Sequence, residues 1–124
     1  MPFLDAAKKH VNSLTPGSTE RLILEFLLKN GVGHQNAQPW SLIETCLKKN
    51  GVFIRQQTFQ QGLLKQSRSG DVFIGSNDHD PGRGYFLIQE KEDAELIQRW
   101  YTRRIEVEQA HLDHLQDLMR KQWP

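Results

Sequence analysis

The sequence predicts a mainly α-helical fold of the α+β class: a short N-terminal helix, three further helices, one small β-hairpin and a long C-terminal helix. Three observations predict it. Apolar residues recur at helical spacing through four segments before residue 70. Two short β-rich runs, Val72 to Ile74 and Tyr85 to Ile88, flank a cluster of turn-forming residues. Lys91 to Gln122 contains neither Gly nor Pro and is dominated by good helix formers. With 124 residues and 37% apolar content, the chain supplies one core and no second domain is expected.

Along the chain, Phe3, Leu4, Ala7, Val11 and Leu14 make one apolar face over residues 3 to 14, and Pro16-Gly17 stops that helix. Ser18 or Thr19 caps a second helix, whose face is Leu22, Ile23, Phe26 and Leu27 and whose end is Asn30-Gly31. After a polar loop, Pro39 suits the first turn of a third helix, because its missing N–H needs no partner there. That helix runs to Lys49 with Trp40, Ile43 and Leu47 inward, Lys48 and Lys49 at the negative end of its dipole, and Asn50-Gly51 as its stop.

Val52 to Ile54 are apolar and β-rich, and from about Arg55 the pattern turns helical again. Phe59 and Leu63, one turn apart, face inward, while Gln57, Thr58, Gln61, Lys65 and Arg68 point away. Gly62 weakens this helix by about 1 kcal/mol relative to alanine, and close approach to a neighbouring helix is one reason to keep it. Asp71 to Gly75 and Gly84 to Ile88 are expected to pair as a hairpin around the tip 76–83. At 1.5 Å per residue the terminal helix spans roughly 45 Å. Its apolar residues, among them Leu96, Trp100, Tyr101, Ile105, Leu112, Leu115 and Met119, are too many to leave in water, so a second chain is expected to cover them.

Charge is unevenly spread. The formal net charge is +1, yet residues 1 to 70 carry nine Lys and Arg against four acids, a net +5, and leave −4 for the rest. Between Glu44 and Asp71 there is no acid, while Lys48, Lys49, Arg55, Lys65 and Arg68 fall there with five glutamines. Such a helix neutralises phosphates through its cations and reads base edges through its amides, since a glutamine amide pairs with the N6 and N7 edge of adenine. A solvated polar face is the bland alternative.

Helix, helix, helix, hairpin and long terminal helix over these residues resembles the winged helix-turn-helix regulators of bacteria, with residues 20 to 88 carrying the resemblance. In that family the second helix of the turn motif often opens on a pattern like S-x-x-T followed by an apolar residue. Here Arg55-Gln56-Gln57-Thr58-Phe59 matches at Thr58 and Phe59 but lacks the cap. The resemblance implies a recognition helix at about 55–68 in the major groove and a wing against a neighbouring groove or backbone. It makes Lys48, Lys49, Arg55, Gln57, Thr58, Gln61, Lys65, Arg68 and Arg83 the candidate DNA-binding residues, with a homodimer on double-stranded DNA as the expected assembly. The organisation is then residues 1–17 as a helix joining the dimer, 18–89 as the winged domain and 90–124 as the long dimerisation helix.

Other chemistries have little support. Asp78, His79 and Asp80 do not have calcium-loop spacing, and His111 and His114 are more simply interface or solvent residues than zinc ligands, so no metal or cofactor is expected. No phosphate-binding glycine loop, nucleophile elbow or H-E-x-x-H motif is present, and no enzyme activity is expected. The single Cys46 reads as a small core residue. No secretory h-region and no run near 20 apolar residues occurs, which makes a cytoplasmic protein with no membrane partner the expectation. The rival function is a winged-helix module for protein association in which Trp40, Phe53, Trp100 and Trp123 dock a partner; a small-molecule effector is not specified.

Overall fold

Six α-helical stretches, a 3-10 turn at His34–Asn36 and two strands make up most of the regular structure in the computed structural model, which describes residues 2–78 and 83–123. They are α1 (Pro2–Ser13), α2 (Thr19–Asn30), α3 (Trp40–Lys49), α4 (Gln56–Phe59), α5 (Lys65–Ser67) and α6 (Lys91–Gln122), with β1 (Ile74–Asn77) and β2 (Gly84–Leu87) forming an antiparallel hairpin. A π-helical turn, Gln60–Leu64, joins α4 to α5 without a break, and residues 56–67 are here called the basic helix. The chain divides into two compact units, the first ending at Asp93 and the second beginning at Ala94 within α6.

The first unit is organised around α2. Ser18 is its N-cap, with Oγ accepting from the Arg21 N–H at 3.3 Å, and Gly31 is its C-cap. Ile23, Leu24 and Leu27 are buried, meeting Ala7 and Val11 of α1, Ile43 and Leu47 of α3, and Ile74 and Leu87 of the hairpin in one core. Of the apolar face of α1, Ala7 and Val11 are buried in this core and Leu4 and Leu14 pack against it, while Phe3 is exposed. Cys46 is half-buried, outside this core, where a core position was expected.

The hairpin pairs Ile74 with Leu87 and Asn77 with Gly84, so its first strand lies further along the chain than the expected Asp71 to Gly75. The side chain of Ser67 explains the shift. Its Oγ donates to the Leu64 carbonyl at 2.7 Å and accepts the Ile74 N–H at 3.2 Å, which pins the chain to the basic helix until Ile74. Val72 packs against the core without joining the ladder.

Strand β2 is hydrogen-bonded on both edges. Opposite β1 it meets the α2–α3 loop: the Gly33 N–H donates to the Leu87 carbonyl at 2.8 Å and the Leu87 N–H to the Gly31 carbonyl at 2.8 Å. Further along, Gln38 and Tyr85 exchange bonds of 2.8 and 2.9 Å. Gly84 makes this approach possible, because at φ +139° a Cβ there would stand 2.2 Å from the Gln38 carbonyl oxygen.

The second unit is the helix from Ala94 onward. Ile105 is 65% exposed and Leu115 53%. Within it the Trp100 and Tyr101 rings meet edge to face at 4.8 Å, and Leu96 is half-buried. No helix among the described residues is long and apolar enough to cross a membrane.

Candidate nucleic-acid interface

The basic helix is seated by aromatic rings. Phe59, 1% exposed, stacks on Trp40 of α3 with centroids 5.3 Å apart and meets Tyr85 of β2 edge to face at 4.9 Å. This three-ring seat joins α3, the basic helix and the hairpin, and aromatic pairs of this kind add about 0.5–1.5 kcal/mol each beyond their burial. Before it, Asn50-Gly51 ends α3, with Gly51 at φ +77° and the Val52 N–H returning to the Leu47 carbonyl at 2.9 Å.

The π-helical turn sets which side chains face inward. An α-helix would have paired Phe59 with Leu63, as the sequence spacing suggested; the wider turn pairs it instead with Leu64, which is buried while Leu63 is half-buried. Gly62 lies within this turn, and a Cβ there would meet nothing within 4 Å, so it does not serve a close helix approach.

The glutamines divide between the two sides. The amides of Gln56 and Gln60 both donate to the Tyr85 hydroxyl, at 3.0 Å each, and so hold the helix on the hairpin. Gln57, Thr58, Gln61 and Lys65 are exposed, as are Arg55 at the start of the helix and Lys48 and Lys49 at the end of α3. Lys48 lies 3.4 Å from Glu44 on an exposed turn, a pair of little energetic weight. Arg68 is half-buried: its Nη2 donates to Ser76 Oγ at 2.9 Å and its guanidinium lies 6.0 Å from the Phe73 ring centroid, bridging helix to hairpin. Arg83 is exposed and its Nε donates to the Asp78 carbonyl at 3.2 Å. His79 and Asp80, weighed above as part of a metal loop, lie outside the described residues.

A second polar cluster fixes the far end of β2. Asp93, 3% exposed, accepts the backbone N–H groups of His34, Gln89 and Glu90 at 2.9 Å each, and its Oδ1 is 2.5 Å from His34 Nδ1. Asn77 donates to the His34 carbonyl at 3.2 Å. Burial alone would raise the Asp93 pKa, but the bonds from Glu90, from the His34 backbone and ring and from Gln89 outweigh it and hold the carboxyl below its usual range. Nothing in the sequence around His34 marks it as the partner of Asp93. The one available signal was an acid three residues after Glu90, where a helix's third position reaches back to the cap N–H.

An open groove of about 820 Å³ lies behind the basic helix, with Phe3, Leu24, Leu63 and Val72 in its apolar wall. Lys9 and His10 also line it, and His10 Nε2 sits 2.9 Å from Glu20 Oε1. No group of three or more His, Cys, Asp or Glu side chains is placed to hold a metal among the described residues. No family model, curated protein or solved structure matches the chain.

Proposed function

We propose that this chain binds double-stranded DNA as a homodimeric winged-helix transcriptional regulator, with the basic helix in the major groove and the hairpin as the wing. The observation that carries the proposal is the outer side of that helix. Gln57, Thr58, Gln61 and Lys65 are all exposed in an acid-free stretch, on a helix whose inner side is locked by Phe59, Gln56 and Gln60. The amides supply base-edge readout and the cations supply phosphate contacts, Lys65 with Arg55, Lys48 and Lys49. Arg68 orients the hairpin on the helix and leaves Arg83 as the wing cation. Doubly bonded β2 gives the wing a rigid root.

A protein-association role is the second reading, favoured by Phe53, which is 73% exposed beside the same helix in sequence. Trp40 does not support that role, because its ring is occupied by Phe59. Incubating the protein with a random duplex pool and sequencing what is retained separates the two. The DNA reading predicts a shared, near-palindromic motif. Absence of enrichment, together with retention indifferent to salt, would favour protein docking.

A further inference from the structure

The terminal helix carries an exposed apolar row: Ile105 at 65%, Leu115 at 53%, and Leu112 and Met119 at 46% each. Their three-, four- and seven-residue spacing puts them on one face. Glu108 lies in that row between Ile105 and Leu112, and Arg104 borders it, its guanidinium 5.5 Å from the Trp100 ring centroid. Among the described residues neither Arg104 nor Glu108 has an ion-pair partner.

These two charges discriminate between the ways a second copy could cover the row. In a parallel, in-register pair, Glu108 meets Glu108 of the partner subunit inside the apolar seam, an arrangement that like-charge repulsion disfavours. An antiparallel pair about a two-fold axis beside Glu106 sets Glu108 against Arg104 of the partner subunit, and Arg104 against Glu108 of the partner subunit. The same register puts Ile97 opposite the partner's Leu115, Tyr101 within about 1.5 Å along the axis of the partner's Leu112, and the two Ile105 side chains about 3 Å apart along it. It also sets Arg99 level with Asp113 of the partner subunit, a second pair of opposite charge within a Debye length.

We infer that the exposed face of α6 pairs with a second copy of this chain as an antiparallel two-helix seam, closed by reciprocal Arg104–Glu108 ion pairs. Self-complementarity under a two-fold axis is what singles out a second copy as the occupant. The inference deepens, and rests on, the dimer in the function proposed above.

The test is cysteine cross-linking of the full chain in a Cys46→Ser background, with one of two proteins mass-tagged. One carries Tyr101→Cys and the other Leu112→Cys. In the antiparallel seam the mixture forms a disulfide-linked dimer containing one of each, and neither protein alone does so. Like positions are then about 15 Å apart along the axis for Tyr101 and about 18 Å for Leu112, whereas a disulfide needs Cα atoms within about 7 Å. Cross-linking of each protein to itself, or no cross-link in any sample, overturns the seam.

The ion pairs are tested by sedimentation, with circular dichroism reporting folding. Arg104→Glu and Glu108→Arg are each expected to weaken the dimer about tenfold, and the double exchange to restore it. Single exchanges without effect overturn the proposed pairing. DNA binding lost in a correctly cross-linked dimer would contradict the functional proposal and leave the seam standing, whereas parallel cross-links would do the reverse.

Discussion

The carboxylate of Asp93 accepts the backbone N–H of His34 at 2.9 Å across 59 residues of sequence, joining the α2–α3 loop to the start of the terminal helix. Because the same group caps the Gln89 and Glu90 N–H groups, one buried side chain fixes the chain on both sides of the hairpin root.

The folded pKa of Asp93 lies below its ordinary value of 3.8, so the stabilisation is present above that value and is lost as pH falls through the folded one. Thermal unfolding followed from neutral pH downward is expected to show a stability loss beginning near that value. Asp93→Asn should be less stable at neutral pH by about 2 kcal/mol and should show a shallower acid slope. Equal slopes for the two proteins would remove Asp93 from the explanation.

Tyr85→Phe deletes the acceptor shared by Gln56 and Gln60 while keeping the ring against Phe59. Chemical denaturation is expected to register a loss of about 1–2 kcal/mol, since two amides lose their partner. If the variant matches the parent, those amides are satisfied by water and the hydroxyl does not hold the helix.

Two glycines predict opposite outcomes. Gly84→Ala forces a Cβ into the Gln38 carbonyl at a φ that L-residues rarely adopt, and a destabilisation of about 3 kcal/mol or more is expected. Gly62→Ala meets no atom within 4 Å and is expected to stabilise by about 0.5–1 kcal/mol. Urea midpoints measured side by side check both, and a reversed order would contradict the packing described for β2 and the loop.

The helices were legible in sequence because their ends carry chemistry: Ser18 and Gly31 bound α2, and Asn50-Gly51 ends α3. The exposed side of the basic helix was legible too, from Gln57, Gln61 and Lys65. Its inner side was not, because a π-helical turn changes the spacing of buried residues from Phe59–Leu63 to Phe59–Leu64 and only a half-exposed Gly62 marks it. Nor does local pattern reveal that Gln56 and Gln60 bond a tyrosine far along the chain, or that Ser67 delays the first strand to Ile74. These are tertiary contacts, and they decide which residues of a polar run stay free.

The division of labour on the outer side of the basic helix is the central claim, and salt-titrated binding of Lys65→Ala and Gln61→Ala to a selected and a random duplex tests it most directly. Over about 50–200 mM salt, Lys65→Ala is expected to weaken both duplexes alike and to reduce the salt slope by about one, whereas Gln61→Ala costs about 1–3 kcal/mol on the selected duplex only. Equal losses from both substitutions on both duplexes, or no loss from either, would contradict it.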